Sequence, residues 1–500
     1  MKQRKSNKAR CRQIIKGAAS VFAMLLICST FLAAANASAD EINEGTAAVV
    51  MKDGKSTPHG KDSMNTAWSD ASSTGAVLKL LSDWQPGAVM VVPNGNTLTL
   101  DLNGHIVDRG LLKYEDEGAL FKVESNAALN IIDSDPNAVH KGYAVKGGVL
   151  TGGKSGNTGG CIEMQASSEV SIEGCSILSC STSQDGGAIR MDGVCRLVAD
   201  GTGFYNNYTL DSRTKCYGGA VYVGDGTAII KNAVFDSNYC EDEGGAVYMN
   251  DGELQLENVM FRSNHSRKDG GAVYCNGTYN DSGIKGCTFV SNSSDGNGGA
   301  LYVNNCKQFI INASMFSLNS TNNNGGAISV FSDKVILANS TVTGNKAQQN
   351  GGGIYVDSRY DLGVQGKVVV RNNTNTTGLN NDLCLQSGVA STAYLSNGGL
   401  YEGSMIYLTS TTKDRICAVK DISKYQASQY IRTNKGNAVI DEKTEYKVDE
   451  LFVSSVVGEG NIAVIIGGSC LIVLTIVCIF VSKKVLNKKN SDSVKGDEEE

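Results

Sequence analysis

The stretch Gly244-Gly245-Ala246-Val247-Tyr248, followed by Phe261-Arg262-Ser263-Asn264, decides the fold because both of its signatures recur along the chain. Gly-Gly-Ala begins, at intervals of 26 to 32 residues, at Gly186, Gly218, Gly244, Gly270, Gly298 and Gly325, with a Gly-Gly-Gly variant at Gly351. Phe-x-x-Asn lies between the glycine pairs, beginning at Phe204, Phe235, Phe261, Phe289 and Phe316, with a weaker copy at Val342. A fixed period of this size that carries two signatures indicates a repeat architecture.

Each repeat holds about three short alternating runs and no helical periodicity. In the repeat that begins at Gly244 these runs are residues 246–249, 253–257 and 259–261, and turns rich in Gly, Asn, Asp and Ser separate them. One repeat is therefore one coil of three strands. A coil cannot bury its apolar face alone, so the coils must stack. The sequence predicts an all-β parallel β-helix, or solenoid.

Alignment of the repeats assigns the columns of the stacked strands, whose neighbours lie roughly 4.8 Å apart. Two columns of the first strand are predicted to face the interior. One consists of Val221, Val247, Val273, Leu301 and Ile328, and the other of Val223, Met249, Cys275, Val303 and Val330. The second strand aligns Ala228 and Ile230 with Leu254 and Leu256, Phe309 and Ile311, and Val335 and Leu337. The phenylalanines are predicted to stack inside, where burial of each ring stabilises by roughly 1.5–3 kcal/mol. The Asn three residues later is expected to form a ladder that satisfies turn backbone.

The alternation of Gly-Gly-Ala-(Ile/Val/Leu) with Phe-x-x-Asn resembles the repeat of the chlamydial polymorphic outer membrane proteins and related β-helical surface adhesins. The regular coils that carry it span about residues 159–356. Residues 97–105 resemble the early coils of right-handed β-helix proteins of the pectate-lyase-like fold. The resemblance implies a right-handed parallel β-helix at a cell surface and a role in adhesion.

The ends of the chain predict export and anchoring. Residues 1–39 have a basic start, an apolar run and the small-residue site Ala37-Ser38-Ala39, as a signal peptide does. Residues 462–481 form an uncharged apolar run of 20 residues, long enough to span a hydrocarbon core of roughly 30 Å as a single C-terminal transmembrane helix. Lysines follow at once, which places residues 482–500 in the cytoplasm. We therefore expect a single-pass type I protein of the plasma membrane with an extracellular ectodomain, on a Gram-positive surface to judge from the long basic leader.

Between these ends we predict an N-terminal cap at residues 40–75, with a short helix near Trp68, the β-helix at 76–424 and a linker at 425–461. The formal net charge of −6 and the absence of a basic patch outside the membrane flanks give no sign of nucleic-acid binding. Eleven of the 15 cysteines fall outside the leader and the span, and several occupy core columns. We expect mostly free thiols, with Cys216 and Cys240, or Cys384 and Cys417, as the pairs that neighbouring coils would allow.

A tyrosine column is the main candidate for ligand binding. Tyr222, Tyr248, Tyr274, Tyr302 and Tyr355 occupy equivalent outward positions, interrupted by Ser329. Exposed, stacked rings with hydroxyl edges suit sugar rings or an extended peptide. The alternative is a cross-strand aromatic ladder that only stabilises the sheet.

Two other sets of residues are weaker candidates for a functional site. Glu163, Asp185, Arg190 and Asp192 are near one another in the register and loosely resemble the carboxylates and Arg of β-helix polysaccharide lyases. A surface salt-bridge cluster is the alternative. The residues before the glycine pairs, Asp185, Glu243, Asp269, Asn297 and Asn324, could hold calcium between turns, but turn capping explains them better, and no other cofactor or metal is expected.

Taken together, the sequence predicts a membrane-anchored, adhesin-like surface protein that binds glycans or proteins of a host or a neighbouring cell. A polysaccharide lyase or glycoside hydrolase of β-helix fold, acting on acidic polysaccharide, is the alternative function, and a passive structural protein of the cell envelope is the third.

Overall fold

The chain forms a parallel β-solenoid of about 11 turns, of the right-handed type. The computed structural model describes residues 46–210, 215–277, 282–376, 378, 381–386, 394–409, 417–420, 430–433, 438–439 and 450–455. Almost every element in them is a strand, which confirms the all-β prediction. The predicted leader, membrane span and tail lie outside these residues. In the described part of the chain, no helix has both the length and the apolar character to cross a membrane.

Four ladders of parallel strands run along the solenoid. Ladder A, which follows the glycine pairs, contains Met90–Val92, Phe121–Val123, Ile162–Met164, the first parts of Ile189–Asp200 and Val221–Lys231, Val247–Asn250, Val273–Asn276, Leu301–Asn304, Ile328–Phe331, Ile354–Val356 and Leu383–Leu385. Ladder B contains Val77–Leu80, Thr97–Asp101, Ala128–Ile132, Glu169–Glu173, the second parts of Ile189–Asp200 and Val221–Lys231, Glu253–Glu257, Gly283–Lys285, Phe309–Asn312, Val335–Ala338, Asp361–Gly366, Tyr394–Leu400 and Cys417–Lys420.

Ladders C and D complete each coil. Ladder C, which carries the Phe-x-x-Asn phenylalanines, contains Ile106–Asp108, Val149–Thr151, Ser176–Leu178, Gly203–Tyr205, Val234–Asp236, Met260–Arg262, Thr288–Val290, Met315–Ser317, Thr341–Thr343, Val369–Arg371, Met405–Thr409 and Ile431–Thr433. Ladder D contains Lys154–Ser155, Ser181–Thr182, Tyr208–Thr209, Tyr239–Cys240, His265–Ser266, Ser293–Ser294, Ser320–Thr321, Lys346–Ala347 and Thr374–Asn375. The sequence predicted only three strands a coil, because a strand of two residues is too short to show alternation.

Antiparallel strands and one helix complete the two ends. At the start of the described chain, Thr46–Lys52 pairs antiparallel with both Lys55–Gly60 and Val77–Leu80. The 3₁₀ turn Lys61–Ser63 leads into the helix Met64–Thr74, so the predicted short helix is present. Trp68 on this helix is 3% exposed and stacks on Phe121 with 5.3 Å between ring centroids. The helix therefore covers apolar rings of the first coils. Ala438–Val439 and Glu450–Ser455 form the last antiparallel pair.

The inward columns are confirmed. All ten predicted ladder A positions are at most 1% exposed, and the register pairs Val221 with Val247 and Val273 with Leu301. In ladder B the predicted pairs are likewise buried and in register, as Leu254 opposite Ala228 shows. The five phenylalanines of ladder C are fully buried, and successive ring centroids lie 4.4 to 4.9 Å apart. The interior is thus one continuous apolar stack.

The asparagine ladder is also confirmed, and it is buried. Asn264 shows the pattern: its Nδ2 donates to Asn292 Oδ1 at 2.9 Å and to the Phe235 carbonyl at 3.0 Å. Its backbone N–H donates to the same Asn292 Oδ1 at 3.0 Å. The pattern repeats at Asn207, Asn238, Asn264, Asn292, Asn319, Asn345 and Asn373. Each amide therefore satisfies a buried backbone N–H and a buried carbonyl of the preceding coil, as buried polar groups require.

The glycine pairs form a seam made of backbone alone. Gly218 has a φ of +67°, which a residue with a side chain adopts at a cost. A Cβ on Gly219 would lie 2.1 Å from the carbonyl oxygen of Gly245 in the next coil. The second glycine is therefore needed because neighbouring coils meet there without room for a side chain.

Seven of the cysteines in the described part of the chain are buried thiols. Cys161, Cys175, Cys180, Cys195, Cys240, Cys275 and Cys287 are free and buried. The Cys240 Sγ donates to the backbone carbonyl of Cys216 at 3.2 Å, so the bridge between these two that the spacing allowed is not formed. The side chain of Cys417 lies outside the described part of the structure. The expectation of mostly free thiols therefore holds for the seven.

Candidate functional site

The predicted tyrosine column is part of a longer row of stacked rings on the outer face of ladder A, here called the aromatic stripe. It consists of Tyr217, Tyr222, Tyr248, Tyr274, Tyr302, Phe331 and Tyr355. The register places Tyr222, Tyr248, Tyr274 and Tyr302 opposite one another, as the sequence predicted. Ring centroids from Tyr248 to Tyr302 are 4.9 Å apart at each step.

The rings are less exposed than predicted. Tyr248 and Tyr302 are 8% exposed and Tyr355 is 5% exposed. Tyr248 and Tyr302 each have a ring on both faces, which contributes to their burial, whereas Tyr222 and Tyr274 are half-buried. A sugar ring cannot lie flat on an interior tyrosine of this kind. Contact with a ligand is left to the ring edges and hydroxyl groups.

Two aromatic residues of the stripe were missed in the sequence. Phe331 lies two positions beyond Ser329 on its strand, and its ring bridges the gap between Tyr302 and Tyr355, at 5.0 and 5.9 Å. Tyr217 stands in the turn before a glycine pair, and its ring stacks on Tyr248 at 4.4 Å. The sequence did carry a signal for both residues. At the equivalent position most other repeats have Asn, Asp or Glu, and here an aromatic residue replaces it.

A row of polar side chains adjoins the stripe in the turns before the glycine pairs, and we call it the cap row: Asp185, Glu243, Asp269, Asn297 and Asn324. Asp185 Oδ1 accepts from the Tyr217 N–H at 2.9 Å, and Asp269 Oδ1 accepts from the Asn297 amide at 3.0 Å. Asn297 and Asn324 accept in the same way from the turn of the next coil. Turn capping is therefore confirmed at these four positions.

Glu243 is the exception in the cap row. Among the described residues, none donates a hydrogen bond to its carboxylate. Burial raises the pKa of Glu243 to about 7, against the opposing attraction of Lys268, and raises the pKa of Asp185 to about 6. Burial also raises the pKa of Tyr222 to about 12, so its hydroxyl remains a donor at neutral pH. The stripe therefore adjoins a carboxyl group that changes charge near pH 7.

The four residues with a loose resemblance to a lyase site do come together. Glu163 is in register with Arg190, and Arg190 with Tyr222. The Arg190 Nε lies 3.0 Å from Asp192 Oδ1, and its Nη1 donates to the Asn157 carbonyl at 3.0 Å. A guanidinium is always protonated in proteins, and this one is held by two acceptors. The arrangement is that of a surface ion pair, which contributes little to stability. Across the described ranges, no group of three or more His, Cys, Asp and Glu side chains is placed to hold a metal ion.

The comparison with protein families identifies a repeat family in this chain. The Chlamydia polymorphic membrane protein repeat matches residues 286–304 and 339–357. Each segment contains a ladder C strand, an Asn of the buried ladder, a glycine pair and a ladder A strand. No curated protein and no solved structure matches the chain. The chain thus carries repeats of the Chlamydia polymorphic membrane protein type, folded as a parallel β-solenoid.

Proposed function

We propose that this chain is a membrane-anchored cell-surface protein that adheres to a partner through the edge of the aromatic stripe. The observation that carries the proposal is the stripe itself, a row of six aromatic rings on one face of the solenoid with Tyr217 beside it. The repeat match to a membrane-protein family supports a location at a membrane. The predicted leader and span supply export and anchoring. The match does not support the Gram-positive envelope that the leader suggested.

The geometry favours a protein partner over a glycan at this stripe. Interior ring faces are covered, so the apolar face of a sugar has no ring to stack on. Tyrosine hydroxyls spaced by one coil can instead donate to the carbonyl groups of an extended segment that lies across the coils. Host or neighbour-cell proteins are therefore the partners we propose first, with surface glycans second.

Binding is also favoured over catalysis. A lyase would need a group free to take a proton, and Arg190 is held by Asp192 and the Asn157 carbonyl. The aromatic stripe needs no reacting group to act as a binding surface.

The test uses cells that display the full-length chain. In the triple variant Tyr248→Phe, Tyr274→Phe and Tyr302→Phe the stacking is kept and only the hydroxyl groups are lost. We expect adhesion to partner cells to fall several-fold, with surface display and melting unchanged. The exposed Tyr401, changed to Phe, is the matched control. Undiminished adhesion by the triple variant would show that the stripe hydroxyls do not contact the partner.

A further inference from the structure

Two shallow cavities lie beside ladder C, on a different ladder from the aromatic stripe. Their volumes are about 600 and 770 Å³. Both are within the range of small-molecule sites, about 300–1,000 Å³. Tyr143 lines both of them, so the two cavities meet at this residue.

The wall between the cavities is an irregular loop, residues 133–148, that is tied down at both ends. The Asp133 carboxylate accepts from the Gly104 N–H and from the Gly148 N–H, each at 2.6 Å. Within the loop, His140 Nε2 lies 2.8 Å from the Gly147 carbonyl, and the His140 and Tyr143 rings meet edge to face at 6.4 Å. Tyr143 is thus positioned before any ligand arrives, which reduces the entropy cost of binding.

The floor of the larger cavity is made by small residues. Ser176 and Gly203 occupy the ladder C column in which later coils carry Val234 and Met260. A Cβ on Gly203 would lie 2.2 Å from Cε2 of Tyr205. The Tyr205 ring therefore lies across this glycine and gives the cavity a flat aromatic surface.

The rims carry polar side chains of both signs. Asp236 and Arg262 form an ion pair at the larger cavity, where the Arg262 Nε lies 3.1 Å from Asp236 Oδ2. Asp83, Asp108 and Gln85 line the smaller one. Over both linings the acidic side chains outnumber the basic ones by four to three. The near balance, with a slight acidic excess, disfavours an acidic polysaccharide.

We propose that the two cavities form one extended site for a neutral linear oligosaccharide. Tyr205 stacks on the apolar face of one sugar, Tyr143 separates two subsites, and the carboxylates, amides and guanidinium bind the hydroxyl groups. A shallow, open site suits a chain that continues beyond it at both ends. The inference is independent of the proposed role of the aromatic stripe, because the residues are different.

The test titrates the purified full-length chain in mild detergent with hexamers of β-1,4-linked glucose and of β-1,4-linked N-acetylglucosamine, and with hexagalacturonate as the acidic probe. We expect at least one neutral hexamer to bind, and its affinity to fall at least tenfold in Tyr143→Ala and in Tyr205→Ala. Tyr205→Phe keeps the ring and should keep the affinity. Tyr401→Ala, at a side chain that is 64% exposed, is the matched control.

Several results would overturn the site: binding of neither neutral hexamer at millimolar concentration, preference for hexagalacturonate, or full affinity in Tyr143→Ala. If Tyr205→Ala fails to fold, Tyr143→Ala decides alone, since Tyr143 lies on a loop outside the core. The Phe triple variant of the stripe should bind the hexamer normally, so failure of the stripe and failure of this site are seen separately.

Discussion

Asp382 closes the buried amide ladder at Asn373: its Oδ1 accepts from the Asn373 backbone N–H at 2.7 Å and from Asn373 Nδ2 at 2.8 Å. In every earlier coil the same two bonds go to the next asparagine. A carboxylate can accept both hydrogen bonds but has no N–H group to donate to a further residue, so the ladder ends there.

Removal of this terminal acceptor should destabilise the last coils. Asp382→Ala leaves the buried Asn373 backbone N–H without its acceptor and removes one of the acceptors of Asn373 Nδ2, so it should lower the free energy of unfolding locally by about 1–3 kcal/mol. Asp382→Asn keeps a carbonyl oxygen in place and should cost less. Hydrogen exchange of the Asn373 amide measures both, and equal protection in the alanine variant and the wild type would refute the role of Asp382.

Loss of one stacked ring should open the solenoid around its coil. Phe261 is fully buried, and Phe261→Ala should cost roughly 3–5 kcal/mol through the cavity it leaves. Its neighbour Met260 is 40% exposed, so Met260→Ala is the control and should cost little. Limited proteolysis and hydrogen exchange near residue 261 distinguish the two. Coils far from the change should hold, because each coil contacts only its neighbours.

Glu243 should make stability depend on pH. Its pKa is raised to about 7 from 4.5, so between these values the folded chain holds a proton that the unfolded chain has released. Stability from this group is therefore present below about pH 4.5 and is lost as the pH rises through 7. Glu243→Gln should remove that loss and raise stability at pH 8 by about 1 kcal/mol, after allowance for solvent screening.

The control for Glu243 is Glu169→Gln, at an exposed side chain on ladder B. Thermal unfolding at pH 5 and pH 8 gives the comparison. If the glutamine variant at 243 keeps the wild-type pH dependence, Glu243 is not its source.

Truncation of a stripe tyrosine should cost stability even though it faces outward. Tyr248→Ala removes a ring that is covered on both faces and should cost about 2–3 kcal/mol, whereas Tyr248→Phe keeps the stack and should cost well under that. Melting temperatures of the two variants measure the difference. Similar melting of Tyr248→Ala and the wild type would mean that the rings do not support one another.

Buried thiols should resist alkylation until the chain unfolds. Burial raises the pKa of Cys287 to about 11, which lowers its thiolate fraction at pH 8 about 100-fold relative to an ordinary cysteine. Mass spectrometry after iodoacetamide treatment should show Cys287 modified only in denaturant. A cysteine placed at Leu112, which is 92% exposed, is the positive control. Rapid modification of native Cys287 would contradict its burial.

The core columns could be predicted because the two-residue alternation along each strand and the length of the repeat give the same assignment. Alternation along the strand decides that Val247 points inward, and the repeat decides which residues lie above and below it. The same reasoning placed Phe261 in the stack and Asn264 in the ladder, because each lies at a fixed distance from a glycine pair.

What escaped prediction depends on features without a period. Phe331 and Tyr217 join the stripe because long side chains lean across columns, which the register alone does not describe. Tyr143 lies on a loop that interrupts the coils, and its place is decided by the bonds of Asp133 to glycines that are distant in sequence. The exposure of the tyrosines was overestimated because alternation gives a side chain's direction and not what its neighbours cover.

The glycine seam also has a genetic consequence. Since both sides of the seam are bare backbone, a coil from one position in the solenoid presents the same backbone at the seam as a coil from another. Recombination between repeats that adds or deletes a whole coil keeps glycine opposite glycine at the seam. Recombination that removes part of a coil would place a side chain against a backbone carbonyl there. The seam is therefore compatible with gain or loss of whole repeats, and each added repeat would move the far end of the solenoid by roughly 4.8 Å.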